Sequence, residues 1–445
     1  MKFDSQSLTV LKKALKNLES GFSYLEDFTE SADNPDIENI LLRVSQRLHN
    51  NYPYFYPLYA GQMLKPPHPV ARLAYMLSMW INPNNHALDG GKESSAMEKE
   101  AVKEMAAMFG WKEFLGHLTG GGTMANMEAL WVSSLEKPGK TILFSEQAHY
   151  THQRISEVLG LPYDVIPCDS NARMDIKQLK KRLAKGDVGT VVATIGTTGT
   201  GSVDPLPHII ELKEHYDFRL HADAAYGGYF VLTEDLDNET QKVYNRLYKV
   251  DSIVVDPHKH GLQPYGCGCI LYKNPGVGKH YQHNSPYTYF TSDDLHLGEI
   301  SLECSRAGAS AVALWTTQQL FPLQKGGNFA HNLTQSLKAA RELYKRLHED
   351  KRFITIMVPE LDIVVWALQG ESTSDISEAS QRFFKRAAEK NLHLALFTYP
   401  VSLLKNIWKN VRFDTSRVTC IRSCLMKPEH LDWIDRIWEI IDTVS

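Results

Sequence analysis

Cysteine is scarce in this chain: six in 445 residues, at Cys168, Cys267, Cys269, Cys304, Cys420 and Cys424. That density does not make a disulfide scaffold. The one close pair, Cys267-Gly-Cys269, has no second pair to complete a zinc site, so no metal centre is expected. Basic charge is not in excess: 48 Lys and Arg stand against 52 Asp and Glu, for a formal net charge of −4. The densest basic run, around 177–185, reads as a solvated helix face, and nucleic-acid binding is not expected. Nowhere do eighteen apolar residues follow one another, so no membrane span is expected. The segment MKFDSQSLTVLKKALKNLESG has a capped, amphipathic helical pattern in place of an apolar leader. These absences point to a cytoplasmic protein with reduced thiols.

The rest of the composition is that of an ordinary globular protein, 43% hydrophobic and 22% charged, and the length predicts two or three domains. Residues 1–85 read as a helical segment broken by prolines. The aromatic stretch Tyr52-Pro-Tyr-Phe-Tyr-Pro-Leu-Tyr59 is incompatible with a regular helix, and Pro66-Pro67-His68-Pro69 gives a start to a helix over 70–80. Residues 86–315 change character. Helices are predicted over 97–108 and 124–135, the second opened by a glycine-rich turn at 120–122. Strands at 141–145, 163–167, 190–194, 219–222, 252–255 and 269–272 then alternate with helices at 152–159, 176–184 and 207–215. That alternation predicts an α/β domain with a mainly parallel sheet. Residues 316–445 read as a smaller α+β domain, with helices at 328–349 and 376–390 and strands at 363–368 and 417–421.

Three features of the middle region have a physical use for one kind of ligand. In Thr119-Gly-Gly-Gly-Thr-Met-Ala-Asn126 the glycines let backbone approach an anion, while the following helix presents free N–H groups and its positive dipole end. Thr123 adds a hydroxyl. The turn is neither GxGxxG nor GxxxxGK[ST], so neither the dinucleotide nor the P-loop reading fits. In His221-Ala-Asp-Ala-Ala-Tyr-Gly-Gly228 a carboxylate flanked by small residues falls at the carboxyl end of a predicted strand, where open α/β sheets place their ligands. In Asp251-Ser-Ile-Val-Val-Asp-Pro-His-Lys-His-Gly261 a lysine follows an apolar strand. An amine so placed, with an acidic partner for a ring nitrogen, is what pyridoxal 5′-phosphate (PLP) requires of a protein. Taken singly, each has a plain alternative: an ordinary helix-opening turn, a capping or ion-paired aspartate, a surface lysine.

The ordered set TGGGT, SEQAHYTHQRI, ATIGTTGTGSVDP, HADAAYGG and DPHKHG resembles the group II PLP-dependent amino-acid decarboxylases, strongly over about residues 85–320 and weakly in the flanks. The resemblance implies PLP fold type I, the aspartate aminotransferase-like architecture, with a large α/β domain and a smaller C-terminal α+β domain. It also implies a homodimer with active sites at the interface, acting on a small amino-acid substrate. Lys259 matches the lysine that carries PLP as a Schiff base. Asp223 matches the carboxylate on the ring nitrogen, His149 the histidine stacked on the ring, and Ala225 the small residue on the opposite face. Thr198 matches a threonine close to the cofactor. Gly122 and Thr123 match the phosphate-binding turn, and His258 a phosphate-contacting histidine.

Two positions depart from the commoner family pattern: Asp256 stands where many members have Asn, and His260 where they have Trp. Tyr287 and Tyr289 fall where the family carries a catalytic loop with a proton-donating tyrosine, and either is a candidate. Arg306, in a segment that opens the family's interdomain helix, is a candidate for a substrate carboxylate or phosphate, with a structural ion pair as the alternative. Tyr59 and His68 are candidate substrate-site residues. The implied reaction is α-decarboxylation of an L-amino acid to amine and carbon dioxide. Aromatic substrates rank ahead of acidic and then diamino ones. A carbon–carbon lyase of the sphingoid-phosphate type and an oxidative aldehyde synthase are the rivals.

Overall fold

The computed structural model describes residues 5–26, 36–282 and 295–445. Seven strands form the larger sheet: β1 (Leu115–Thr119), β2 (Thr141–Ser145), β3 (Tyr163–Ile166), β4 (Val188–Thr194), β5 (Arg219–Asp223), β6 (Ser252–Val255) and β7 (Gly268–Tyr272). Their order is β1-β7-β6-β5-β4-β2-β3. All pairings are parallel except those of β7, which runs against both β6 and β1. Strands β2, β4, β6 and β7 are buried along their whole length. Their centres, 142–144, 191–193, 253–255 and 269–271, are accordingly apolar: helices cover both faces of the sheet, so neither face has to be polar.

The second sheet is antiparallel, with order β10-β11-β9-β8. Its strands are β8 (Phe353–Thr355), β9 (Ile363–Leu368), β10 (Ala395–Pro400) and β11 (Arg417–Cys424). Strand β9 is apolar throughout because both its faces are used. Ile363, Val365 and Ala367 point into the main core, which continues from the large sheet. Val364 and Trp366 point the other way, into a separate core with Leu343, Phe383 and Ile437. The period-two alternation of a strand thus joins the two cores. Residues 58–60 are stitched to this sheet: Ala60 N–H donates to the His393 carbonyl and Cys424 N–H to that of Ala60, at 2.8 and 2.7 Å.

The predicted strands at 141–145, 252–255 and 363–368 and the helix at 328–349 form over those residues. Others differ at their ends. The helix after the glycine turn begins at Gly122, two residues early. The helix predicted from 97 begins at Leu88, with a break at Gly91 that hides its first turns from any periodicity. Strands β1, β8 and β10 were not predicted. β1 is Leu-Gly-His-Leu-Thr, in which Gly and His interrupt the apolar run, and β8 has three residues.

Leu343, wholly buried between the helix 328–349 and β9, anchors the second core. Leu343→Ala is expected to lower stability by about 2–5 kcal/mol, read as a lower urea midpoint at unchanged slope.

Candidate active site

Strands β4, β5 and β6 end side by side, and the residues just beyond them meet the N-terminus of the helix 122–136. Between them lies a cavity of about 520 Å³, within the range of small-molecule sites. Gly122, Thr123, His149, Thr198, Asp223, Ala225, His258 and Lys259 all line it. Eight sequence-predicted residues, drawn from five separated motifs, therefore share one wall system.

Asp223 is the last residue of β5 and is buried. Its Oδ1 accepts from Ala225 N–H at 3.2 Å, and its Oδ2 is 2.8 Å from His152 Nε2. Burial works to raise the carboxyl pKa, but the His152 bond and the charge of Lys259 outweigh it and hold the group below the usual carboxylate range. The carboxylate is thus an anion inside the protein, with lone pairs left over for the cavity.

Lys259 lies four residues beyond β6, and its Nζ is 3.0 Å from Asp256 Oδ2. Asp256 belongs to the same wall. It is buried, lines the cavity and sits 3.6 Å from His258 Nε2. A Cβ built on Gly122 would come within 2.6 Å of its Oδ2. Glycine at 122 therefore lets the helix N-terminus descend onto a carboxylate, a favourable end for negative charge. His258 is fixed from the other side, where its Nδ1 lies 2.7 Å from the Cys267 carbonyl. Burial lowers the pKa of both His258 and His149. His149 Nδ1 is 2.8 Å from Thr151 Oγ1, a contact that sets the ring's orientation.

The cradle fits PLP. Gly121 has φ of +149°, in the region open to glycine, and no side chain caps the helix it starts. Its first N–H groups are left for an anion. The wall offers an amine at Lys259, an anion at Asp223 and the small side chain of Ala225.

The remaining predictions fall elsewhere. Arg306 does not line the cavity. Its guanidinium is buried against Glu98, Nη1 to Oε1 3.0 Å, and donates to the Leu118 carbonyl. Glu98 also accepts Leu118 N–H and Asn85 Nδ2, so this junction braces the strand that leads into the glycine turn. A buried guanidinium needs such a partner, and the ion-pair alternative describes this one. Tyr59 packs edge-on to Tyr54 with Lys427 Nζ 5.3 Å from its ring centre. His68 accepts from Val70 N–H, capping the helix 69–78. Neither lines the cavity. Tyr287 and Tyr289 lie outside the described residues. His260 is fully buried, edge-on to Tyr226 and Phe230, with Nε2 3.3 Å from Asp362 Oδ2.

Sequence reasoning missed His152. The spacing His149-Tyr-Thr-His152 was its only trace: three residues apart on a helical turn, two imidazoles can serve the same neighbourhood. It also missed Asn126, Thr194 and Tyr226 in the cavity wall.

A site of this make-up defines a PLP enzyme. The pyridoxal-dependent decarboxylase conserved domain matches residues 35–369, and the chain belongs to that family, the group II PLP-dependent decarboxylases. It is 29% identical to the L-tyrosine decarboxylase of Enterococcus faecium over 462 residues, covering 78% of this chain and 75% of that one. It is 29% identical to the L-aspartate decarboxylase of Thermococcus kodakarensis over 286 residues, covering 62% and 71%. Among solved structures, mouse CSAD matches with a TM-score of 0.80 at 18% identity, over 99% of each chain. The fold is that of PLP fold type I. The chain is a PLP-dependent carboxy-lyase. Among the described residues no helix is long and apolar enough to cross a membrane.

Gly122→Ala should cost at least about tenfold in PLP affinity, because the added methyl displaces the helix N-terminus or Asp256 (a shift of about 1.4 kcal/mol). Absorbance titration of the apo-protein measures it.

Proposed function

We propose that this chain removes the α-carboxylate of an aromatic L-amino acid, with L-tyrosine the first candidate. The observation that carries the chemistry is the convergence of Lys259, Asp223, His149 and the helix 122–136 N-terminus on one cavity. When bound, PLP supplies an electron-accepting ring for the electrons left at Cα. The protein's part is positioning and charge. Lys259 Nζ would be the covalent anchor for the cofactor and the amine that later releases product. Asp223, held anionic, would keep a proton on the ring nitrogen, since opposite charges at short range favour the charged form. The free N–H groups of the helix start, Thr123 and His258 would hold the phosphate. His149, Ala225 and Thr198 would hold the ring. Asp256 holds the Lys259 amine at 3.0 Å, which fixes its place at the cavity floor.

Two observations support an aromatic side chain. One is the likeness to a tyrosine decarboxylase over three quarters of both chains. The other is the aromatic group formed by Tyr52, Tyr54 and Tyr59, which does not line the cavity but connects to its Thr198 edge through the residues that follow it. From Tyr59 the chain runs to Gln62, whose Oε1 accepts from Arg422 Nη2 at 2.6 Å, and Arg422 Nη1 donates to the Thr198 carbonyl at 2.9 Å. The likeness to an aspartate decarboxylase favours an acidic substrate as the second reading. The panel is therefore the common amino acids with dopa and 2,4-diaminobutyrate, following amine, carbon dioxide and aldehyde. Tyramine with carbon dioxide is the expected outcome. β-Alanine from aspartate would move the assignment to the acidic class, and aldehyde with ammonia and peroxide would move it to the oxidative aldehyde synthases. Lys259→Ala should abolish the visible absorption band that PLP gives the wild-type protein.

We also infer a homodimer. Among the described residues, the helix Ile37–Leu48 has none that is buried. It leaves Ile37, Ile40, Leu41, Leu42, Val44 and Leu48 exposed, close in sequence to exposed Tyr52 and Phe55. A contiguous apolar face of that kind marks an interaction surface, and a second copy is the partner proposed. Light scattering should give twice the chain mass, and Leu41→Asp with Leu42→Asp should give the single-chain mass.

A further inference from the structure

His152 lies three residues beyond His149 and is not among the residues assigned to hold the cofactor. It is fully buried on the helix Thr151–Val158, its ring set beside that of Phe144 at 5.8 Å between centres. Its Nε2 meets Asp223 Oδ2 at 2.8 Å. The other ring nitrogen is buried with no hydrogen-bonding partner among the described residues. The ring's polar chemistry is therefore directed at one atom. An ionised carboxylate only accepts hydrogen bonds, so Nε2 carries the hydrogen in this contact. The second carboxylate oxygen takes Ala225 N–H. With one donor on each oxygen, the carboxylate plane of Asp223 cannot rotate without breaking a bond. Lys259 and His221 also face Asp223 as charged or titratable groups. His221 is occupied elsewhere, with its two nitrogens on Ser252 and Asn126.

We propose that His152 is the positioning residue of Asp223. Its Nε2–H fixes the carboxylate's orientation and takes one of its lone pairs, and so sets how strongly Asp223 holds the protonated ring nitrogen of PLP. The inference rests on the reading that Asp223 faces that nitrogen. A histidine that merely filled space beside Phe144 would not need its Nε2 on Asp223, and substitution by an apolar side chain of similar size would leave cofactor binding intact.

PLP is titrated into apo-protein of the full-length wild type and three variants, following the visible band and its position. His152→Leu removes the donor and keeps bulk. Its PLP affinity should fall roughly ten- to hundredfold, the range for a lost hydrogen bond to a charged group, and its band should move. His152→Gln offers an amide N–H in a similar place and should recover affinity to within about threefold of wild type, well inside that range. Wild-type affinity and band in His152→Leu would overturn the proposal, as would equal losses in the Leu and Gln variants, which packing alone would produce. Asp223→Asn separates the two levels. A changed affinity and band there with an unchanged His152→Leu overturns the His152 role alone, whereas an unchanged Asp223→Asn overturns the Asp223 reading with it. Should His152→Leu not fold, imidazole nitrogen resonances of the wild-type holoenzyme decide: a hydrogen on Nε2 supports the proposal, and a bare Nε2 overturns it.

Discussion

A carboxylate buried at the end of a central strand is costly unless every side of it is answered, and much of this active site follows from meeting that condition at Asp223. Strand β5 lies between β4 and β6, so the carboxylate emerges among backbone rather than water. His152 comes from the helix after β2, the Ala225 N–H from the turn after β5, and Lys259 from the turn after β6. Each is held by a different piece of the large sheet. The parallel arrangement is what brings those pieces to the same end, since parallel strands all deliver their following turns on one side.

The second acid, Asp256, is placed differently. Its Oδ2 lies 3.0 Å from the Lys259 amine, its Oδ1 is buried with no hydrogen-bond partner among the described residues, and the close approach of the helix start depends on the missing side chain at Gly122. The cavity thus separates its two negative groups by function. One is braced by hydrogen-bond donors, and the other sits beside the lysine at the root of the glycine turn.

Much of this was legible in the residues, for physical reasons that can be named. Strands buried on both faces announce themselves as apolar runs, which is why β2 and β6 were placed to the residue. Motifs joined to strand ends pointed to Gly122, Thr123, Asp223 and Lys259, and the family resemblance added His149, Thr198, Ala225 and His258. What could not be read was anything that depends on a contact between distant segments. Strand β1 carries glycine and histidine and is a strand because β7 pairs with it. His152 looks like any helix histidine until Asp223 is placed beside it. Arg306 offered two readings of equal merit because guanidinium chemistry is the same for a ligand carboxylate and for Glu98. Only the fold says which one is within reach.

The stitching of residues 58–60 to the small sheet has a consequence for biosynthesis. Ala60 bonds to segments at His393 and Cys424, more than three hundred positions further along. During translation its N–H and carbonyl have no native partner until the last strand has emerged, roughly 20–70 s later at ordinary elongation rates. For that interval the tyrosine-rich segment beside it is exposed on a nascent chain whose large sheet can already be forming. Contacts of such long sequence separation also form slowly. The aromatic stretch is therefore a segment of this protein that waits longest for its native partners during synthesis.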